Sequence, residues 1–445
     1  MKRLVFILML ICCSSLLSYS QGHFTVPNKS KSDKVRFQLI SNLVIVPVEI
    51  NGVKLSFLLD TGVSKPILFG FLNDSDSLEL NKAETVLLRG LGDREAIEAI
   101  RSEGNMFRIG DAVNVNQEIF AVFDPALNFA PRLGIPVHGI IGYDLFKDLI
   151  VEVNYVSRYI RLTQPEAYKY KKCKKCEVVP LDFYNKKPYV NAEVSLNQET
   201  IPVKLLLDSG GADALWLFED YEQGIKSSNE FFHDFLGFGL GGSVYGKRSK
   251  VETFSLSGFE LNGVNVSYPD SNYIGGAKRF KERNGSLAGH ILKRFNMIID
   301  YPNQKITLKK NKYFKESFSY NKSGIELQHE GIRLVKEEVE SKGPDNLLSN
   351  DYETKNQKTI NVTRTFKLAF KPAFSIVELR EGSPAARAGL QVGDVIISVN
   401  NKESYHYSLQ EIIKMFYDDD GKRIKLEVER DGSVLSYEFK LESLL

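Results

Sequence analysis

The sequence predicts a mainly β protein built from two similar halves that share one site, followed by a smaller α+β unit. Three observations carry that prediction. Asp60-Thr61-Gly62 and Asp208-Ser209-Gly210 are the two Asp-(Ser/Thr)-Gly triplets of the 445-residue chain. The apolar alternation and the glycines around them keep step for about 80 residues. Beyond residue 308 that pattern stops and another begins. Aromatic residues at 11% and 33 glycines favour strands joined by tight turns.

The N-terminus is expected to lie outside the fold. Lys2 and Arg3 precede an almost wholly apolar run over residues 4–17, and Ser18-Tyr19-Ser20 supplies small residues before Gln21. Residues 1–20 read as a cleaved secretory signal. The run is short of the roughly 20 residues that span a bilayer, and no later segment qualifies. The mature chain is therefore expected to be secreted or periplasmic, in a bacterial cell envelope, with no membrane span. Charge is nearly balanced, 58 Lys+Arg against 56 Asp+Glu, which argues against a nucleic-acid binder. Two of the four cysteines leave with the signal. The remaining pair, Cys173-Lys174-Lys175-Cys176, is too small for a zinc site and lacks the βαβ context of a redox motif. A linker disulfide or a spectator pair remains.

The first half is placed at residues 34–168 and the second at 177–312, joined by a lysine-rich link. Each opens on a strand–turn–strand pattern. Val46-Pro47-Val48-Glu49-Ile50 turns through Asn51-Gly52 into Val53-Lys54-Leu55-Ser56-Phe57-Leu58-Leu59. Val190-Asn191-Ala192-Glu193-Val194 turns through Asn197 and re-enters at Val203-Lys204-Leu205-Leu206-Leu207. Glycines then fall in register. Gly90 and Gly92 follow Asp60 at the same distance, within one residue, as Gly239 and Gly241 follow Asp208. Ile140-Ile141-Gly142 likewise matches Leu287-Ala288-Gly289. One triplet alone would be a tight turn after a core strand; two in matching surroundings point to a pair.

Each Asp ends an apolar strand and is followed by small residues, so the chain can turn and present a carboxylate in a cleft. Two carboxylates facing each other across an approximate two-fold axis cannot both ionise and share a proton. One is then a base for water and the other an acid for a carbonyl. Rival chemistries lack their residues. The six histidines are scattered, and no His-Glu-x-x-His, Gly-x-Ser-x-Gly or phosphate-binding loop with its lysine is present.

The triplets, their spacing and the hydrophobic–hydrophobic–Gly elements resemble the retropepsin/pepsin superfamily of aspartic proteases. The resemblance implies a bilobal β-barrel fold with pseudo-two-fold symmetry and Asp60 and Asp208 as catalytic residues. Thr61, Gly62, Ser209 and Gly210 would be their supports, with flap hairpins at Gly90, Gly92, Gly239 and Gly241. It implies a monomer acting on an extended polypeptide, with no cofactor and no metal. Val63 and Gly211 stand where the family commonly has Ala, Ser or Thr. With no hydroxyl there to stabilise the anions, the dyad is expected to titrate higher, extending activity towards neutral pH. The competing reading is a catalytically inactive protease-like scaffold that binds peptides through the C-terminal unit.

The last unit is placed at residues 320–445. Gly382-Ser383-Pro384 opens a short helix that Gly389 ends, Val395-Ile396-Ile397 forms a strand, and Ser408 to Phe416 has helical apolar spacing. A hairpin turning at Asp431-Gly432 closes it. This resembles the PDZ domains of bacterial envelope proteases. The resemblance implies that peptide tails bind along a strand through Gly324, Ile325 and Leu327, with amides near Gly324 holding a C-terminal carboxylate. The polar run at residues 336–361 reads as an insertion.

Overall fold

The computed structural model describes residues 22–69, 77–88, 97–124, 128, 130–239, 242–339 and 365–445. The proposed signal lies outside them. The chain forms two compact units, one up to Tyr320 together with Ser443–Leu445, the other Asn321–Glu442.

In the first unit the internal repeat becomes a repeat of topology. Among the described residues each half forms an eight-stranded sheet with the same strand order. In the first half, Leu43–Ile50 pairs with Val53–Leu59, which runs parallel to Gly139–Ile141; that strand lies beside Ile67–Phe69. In the second, Lys187–Leu196 pairs with Glu199–Asp208, which runs parallel to Gly285–Ala288, beside Leu215–Leu217. The hairpin turns follow from their residues. Asn51-Gly52 and Asn197-Gln198 both adopt left-handed backbone, the geometry that matches strand twist in a two-residue hairpin.

A six-stranded sheet joins the halves. Ile150–Asn154 and Tyr159–Thr163 come from the first, Phe295–Asp300 and Lys305–Lys310 from the second, with Ser32–Arg36 and Cys176–Pro180 at the edges. The seam pairs Val151 with Ile299 and Val153 with Met297. All four side chains are buried, and one apolar core runs through both halves. Burial of this kind is the main source of stability, so the relation between the two triplets is held by a continuous core rather than a hinge. Cys173 and Cys176 form a disulfide in the link.

The second unit is a five-strand path with a short sixth strand, Lys402–Glu403, on its side. Ser383 caps the helix Pro384–Arg387, and Ser408 with Glu411 forms a capping box on Leu409–Met415. Ile325, Phe374, Ile396, Ile412 and Leu426 fill its core. The boundary of the polar insertion needs correction. Residues 336–339 belong to the strand Ile325–Val339, which pairs with Thr365–Leu379. Lys336 is exposed to solvent on this ribbon. Residues 340–361 lie outside the described residues.

Candidate active site

Asp60 follows the strand Val53–Leu59, and its amide donates to the Ile141 carbonyl at 2.8 Å. Asp208 ends the strand Glu199–Asp208, in register with Ala288. In both halves the hydrophobic–hydrophobic–Gly element thus lies directly behind the carboxylate. Space explains its glycine: a Cβ on Gly142 would sit 2.0 Å from the Asp60 carbonyl.

The residues after the two Asp lock the halves together. The Thr61 hydroxyl donates to the Leu207 carbonyl (2.6 Å) and accepts from the Ser209 amide (3.0 Å). The Ser209 hydroxyl donates to the Leu59 carbonyl (2.8 Å) and accepts from the Thr61 amide (3.0 Å). All four bonds are buried and cross the two-fold relation. Tyr301 adds a bond from its hydroxyl to the Thr61 carbonyl, 3.3 Å.

The carboxylates are brought face to face and remain half-buried. Gly210 is forced to be glycine, since a Cβ there would lie 2.4 Å from the Asp60 Cγ. Asp60 accepts from the Gly62 amide at 2.6 Å. Burial, then the Asp208 charge, push the Asp60 carboxyl up to about 7, against the amides of Gly62 and Gly210 and the Lys187 cation. Burial also raises Asp208, opposed by Arg283, Lys187 and backbone bonds from Gly210 and Gly211. The Gly211 amide therefore supplies part of the stabilisation that its missing hydroxyl withholds.

Lys187 and Arg283 escaped the sequence reading. Lys187 lies in a turn of solvated appearance, Asn185-Lys186-Lys187-Pro188, and Arg283 is one charge among many in residues 278–284. No sequence signal short of strand register would single them out. The register pairs Tyr189 with Leu206, so Lys187, two residues earlier, comes beside Asp208, two residues later.

Of the expected flap glycines, Gly90, Gly92 and Gly241 lie outside the described residues. Gly239 ends the strand Phe232–Gly239 and pairs with Gly242, as a hairpin requires. Arg248 anchors this hairpin, bonding Asp234 and Asp213 at 3.0 Å each and the Phe235 carbonyl at 2.9 Å. At its far end Phe238 packs on the apolar cluster of the first half, and Phe235 lies under the Arg132 guanidinium. In the first half, Ala83–Leu88 and Ile97–Ile109 form the corresponding hairpin base.

In the second unit, Ile325–Val339 is an edge strand and has the helix Leu409–Met415 beside it. The amides near Gly324, however, are already occupied. Asn321 Oδ1 accepts from the Ser323 amide and hydroxyl and from the Gly324 amide, and the Ser323 hydroxyl accepts from the Ile325 amide. The expected carboxylate-binding role of these amides is corrected accordingly. Ile325 and Leu327 point into the core, leaving only the backbone edge of this strand for a ligand. Replacing Asn321 by Ala strands several buried donors, each costing about 1–3 kcal/mol. We expect a lowered unfolding transition of this unit, measurable by hydrogen exchange at residues 321–327.

Comparison with known sequences matches residues 46–145 to a family described as aspartyl protease and residues 375–430 to the PDZ domain family. The first match contains Asp60 but ends before Asp208. Among solved structures, the aspartic proteinase from Irpex lacteus is similar, at 14% identity and a TM-score of 0.39, over 64% of this chain and 99% of that one. No curated protein matches the chain.

Proposed function

On the premise that the chain carries an aspartyl-protease-like domain followed by a PDZ domain, we propose that it is an exported aspartic endopeptidase. The observation that carries this reading is the Asp60–Asp208 pair, held by reciprocal Thr61–Ser209 bonds. Burial raises both carboxyls, and each has Lys187 and two backbone amides against the rise; Asp208 alone has Arg283 as a second cation. On that difference we assign the shared proton to Asp60.

In the reaction, the Asp208 carboxylate takes a proton from a water, whose oxygen attacks the scissile carbonyl carbon. The Asp60 carboxyl gives its proton to the carbonyl oxygen. The resulting gem-diol collapses as its hydroxyl proton returns to Asp60 and the Asp208 proton passes to the leaving nitrogen, breaking the C–N bond. Asp60 is then protonated and Asp208 ionised once more, so the dyad stands ready for the next water.

The pH dependence follows. A carboxyl raised to about 7 keeps its proton through the mildly acidic range and loses it near neutrality. Cleavage is expected to hold up to pH 6 and to fall as pH passes about 7. A rate that already falls away above about pH 4.5 would contradict the assignment.

The second unit is proposed to take peptide tails as an added strand on the outer edge of Ile325–Val339 beyond Ile325, whose amide and carbonyl are already bonded to Ser323 and Asn321, and so to choose or deliver substrates. Cleavage rates measured with and without a diverse panel of C-terminal peptides test this; equal rates and no binding across the panel would remove it. The apolar run at residues 4–17 supports export, tested by sequencing the mature N-terminus.

A further inference from the structure

The two halves match in backbone but not in the chemistry they present beside the dyad. On the face that carries Asp60, strand register places Leu43, Ile45 and Ile140. All three belong to one buried apolar cluster. The positions equivalent by register on the face that carries Asp208 are Lys187, Tyr189 and Ser286. Three apolar side chains in one half thus correspond to an ammonium, a phenol and a hydroxyl in the other.

Arg283 adds a second cation on this side. Its guanidinium is 6% exposed and fixed, Nε donating to the Gly285 carbonyl at 3.0 Å and Nη2 to the Ser286 hydroxyl at 2.8 Å. Its charge acts on Asp208. Lys187 is half-buried at the start of its strand, and its ammonium forms no hydrogen bond or salt bridge among the described residues; the opposite charges that act on it are those of Asp60 and Asp208. A partly desolvated ammonium balanced only by a pair of carboxyls that share a proton is costly. The cost is removed when a ligand brings the opposite charge.

We propose that the cleft selects peptides with an acidic residue on one side of the scissile bond and an apolar residue on the other. The acidic side chain pairs with Lys187, with the fixed charge of Arg283 behind it. The apolar one meets the first half, where partly buried side chains such as Val63 pack on the buried Leu43, Ile45 and Ile140 cluster. An extended peptide lying across the two-fold relation offers its two flanks to the two halves, so the asymmetry of the floor becomes an asymmetry of sequence. This inference rests on the endopeptidase reading.

Binding and turnover are separated to test it. The full-length Asp60→Asn protein, which cannot share the proton, is titrated with extended peptides carrying an apolar residue next to Asp or Glu, and with their Asn or Gln counterparts. The acidic peptides are expected to bind about tenfold more tightly at low salt, with the advantage shrinking as salt rises. Adding Lys187→Met should abolish the preference by weakening the acidic peptides more than the amide ones, and Lys187→Arg should retain it. No acidic preference, or a preference that survives Lys187→Met, or equal weakening of both peptide sets, would overturn the inference. Cleavage by the native protein is scored independently. Turnover without acidic preference sinks the inference alone, and preference without turnover sinks the endopeptidase reading alone.

Discussion

Replacing Asp208 by Asn is expected to reduce peptide cleavage by about 10³-fold or more, because an amide can neither take the water's proton nor share one with Asp60. The same substitution should make the first unit more stable. Asp208 is a carboxylate that burial holds above its ordinary range. A group raised in the folded state contributes stability below its unfolded pKa and loses it as pH rises through the folded value. The variant's advantage should therefore be absent in acid and grow towards pH 8, reaching a few degrees in Tm. Scanning calorimetry at pH 3 and pH 8 reads this directly. Lost activity with lowered stability at both pH values would mean that Asp208 is a structural carboxylate.

Replacing Thr61 by Val is the largest expected stability effect. Valine keeps the shape but leaves the Leu207 carbonyl and the Ser209 amide without partners in a fully buried place. At about 1–3 kcal/mol for each stranded group, the loss is about 2–6 kcal/mol. Ser209→Ala should cost a similar amount, through Leu59 and the Thr61 amide. Since the two hydroxyls serve one network, the double variant should lose less than the sum of the singles. Cleavage should fall in each, because the carboxylates are no longer held in register. A midpoint shift of under 2 °C in both single variants would show that the network carries no strain between the halves.

Much of this architecture was legible in the sequence because it repeats. The Asp-centred triplets, the hairpins before them and the glycines behind them obey local rules: alternation, turn chemistry and close approach. The shared six-stranded sheet was legible only as two similar strand pairs, since pairing Val151 with Ile299 is a long-range event. Other features depended on partners distant in sequence. Ser323-Gly324 looks like an open amide loop until Asn321 is seen to occupy it. Lys187 looks like any solvated lysine until the Tyr189–Leu206 register brings it beside Asp208. Which neighbour a polar group meets is set by tertiary packing, and no periodicity encodes it.

The central claim is that Asp60 and Asp208 together hydrolyse peptide bonds. The most direct measurement is digestion of a peptide library by the purified full-length protein at pH 5–6, with and without a hydroxyl-bearing mimic of the tetrahedral intermediate, reading new termini by mass spectrometry. We predict internal cleavage that the mimic suppresses. An intact library, or cleavage that the mimic leaves unchanged, would contradict the account.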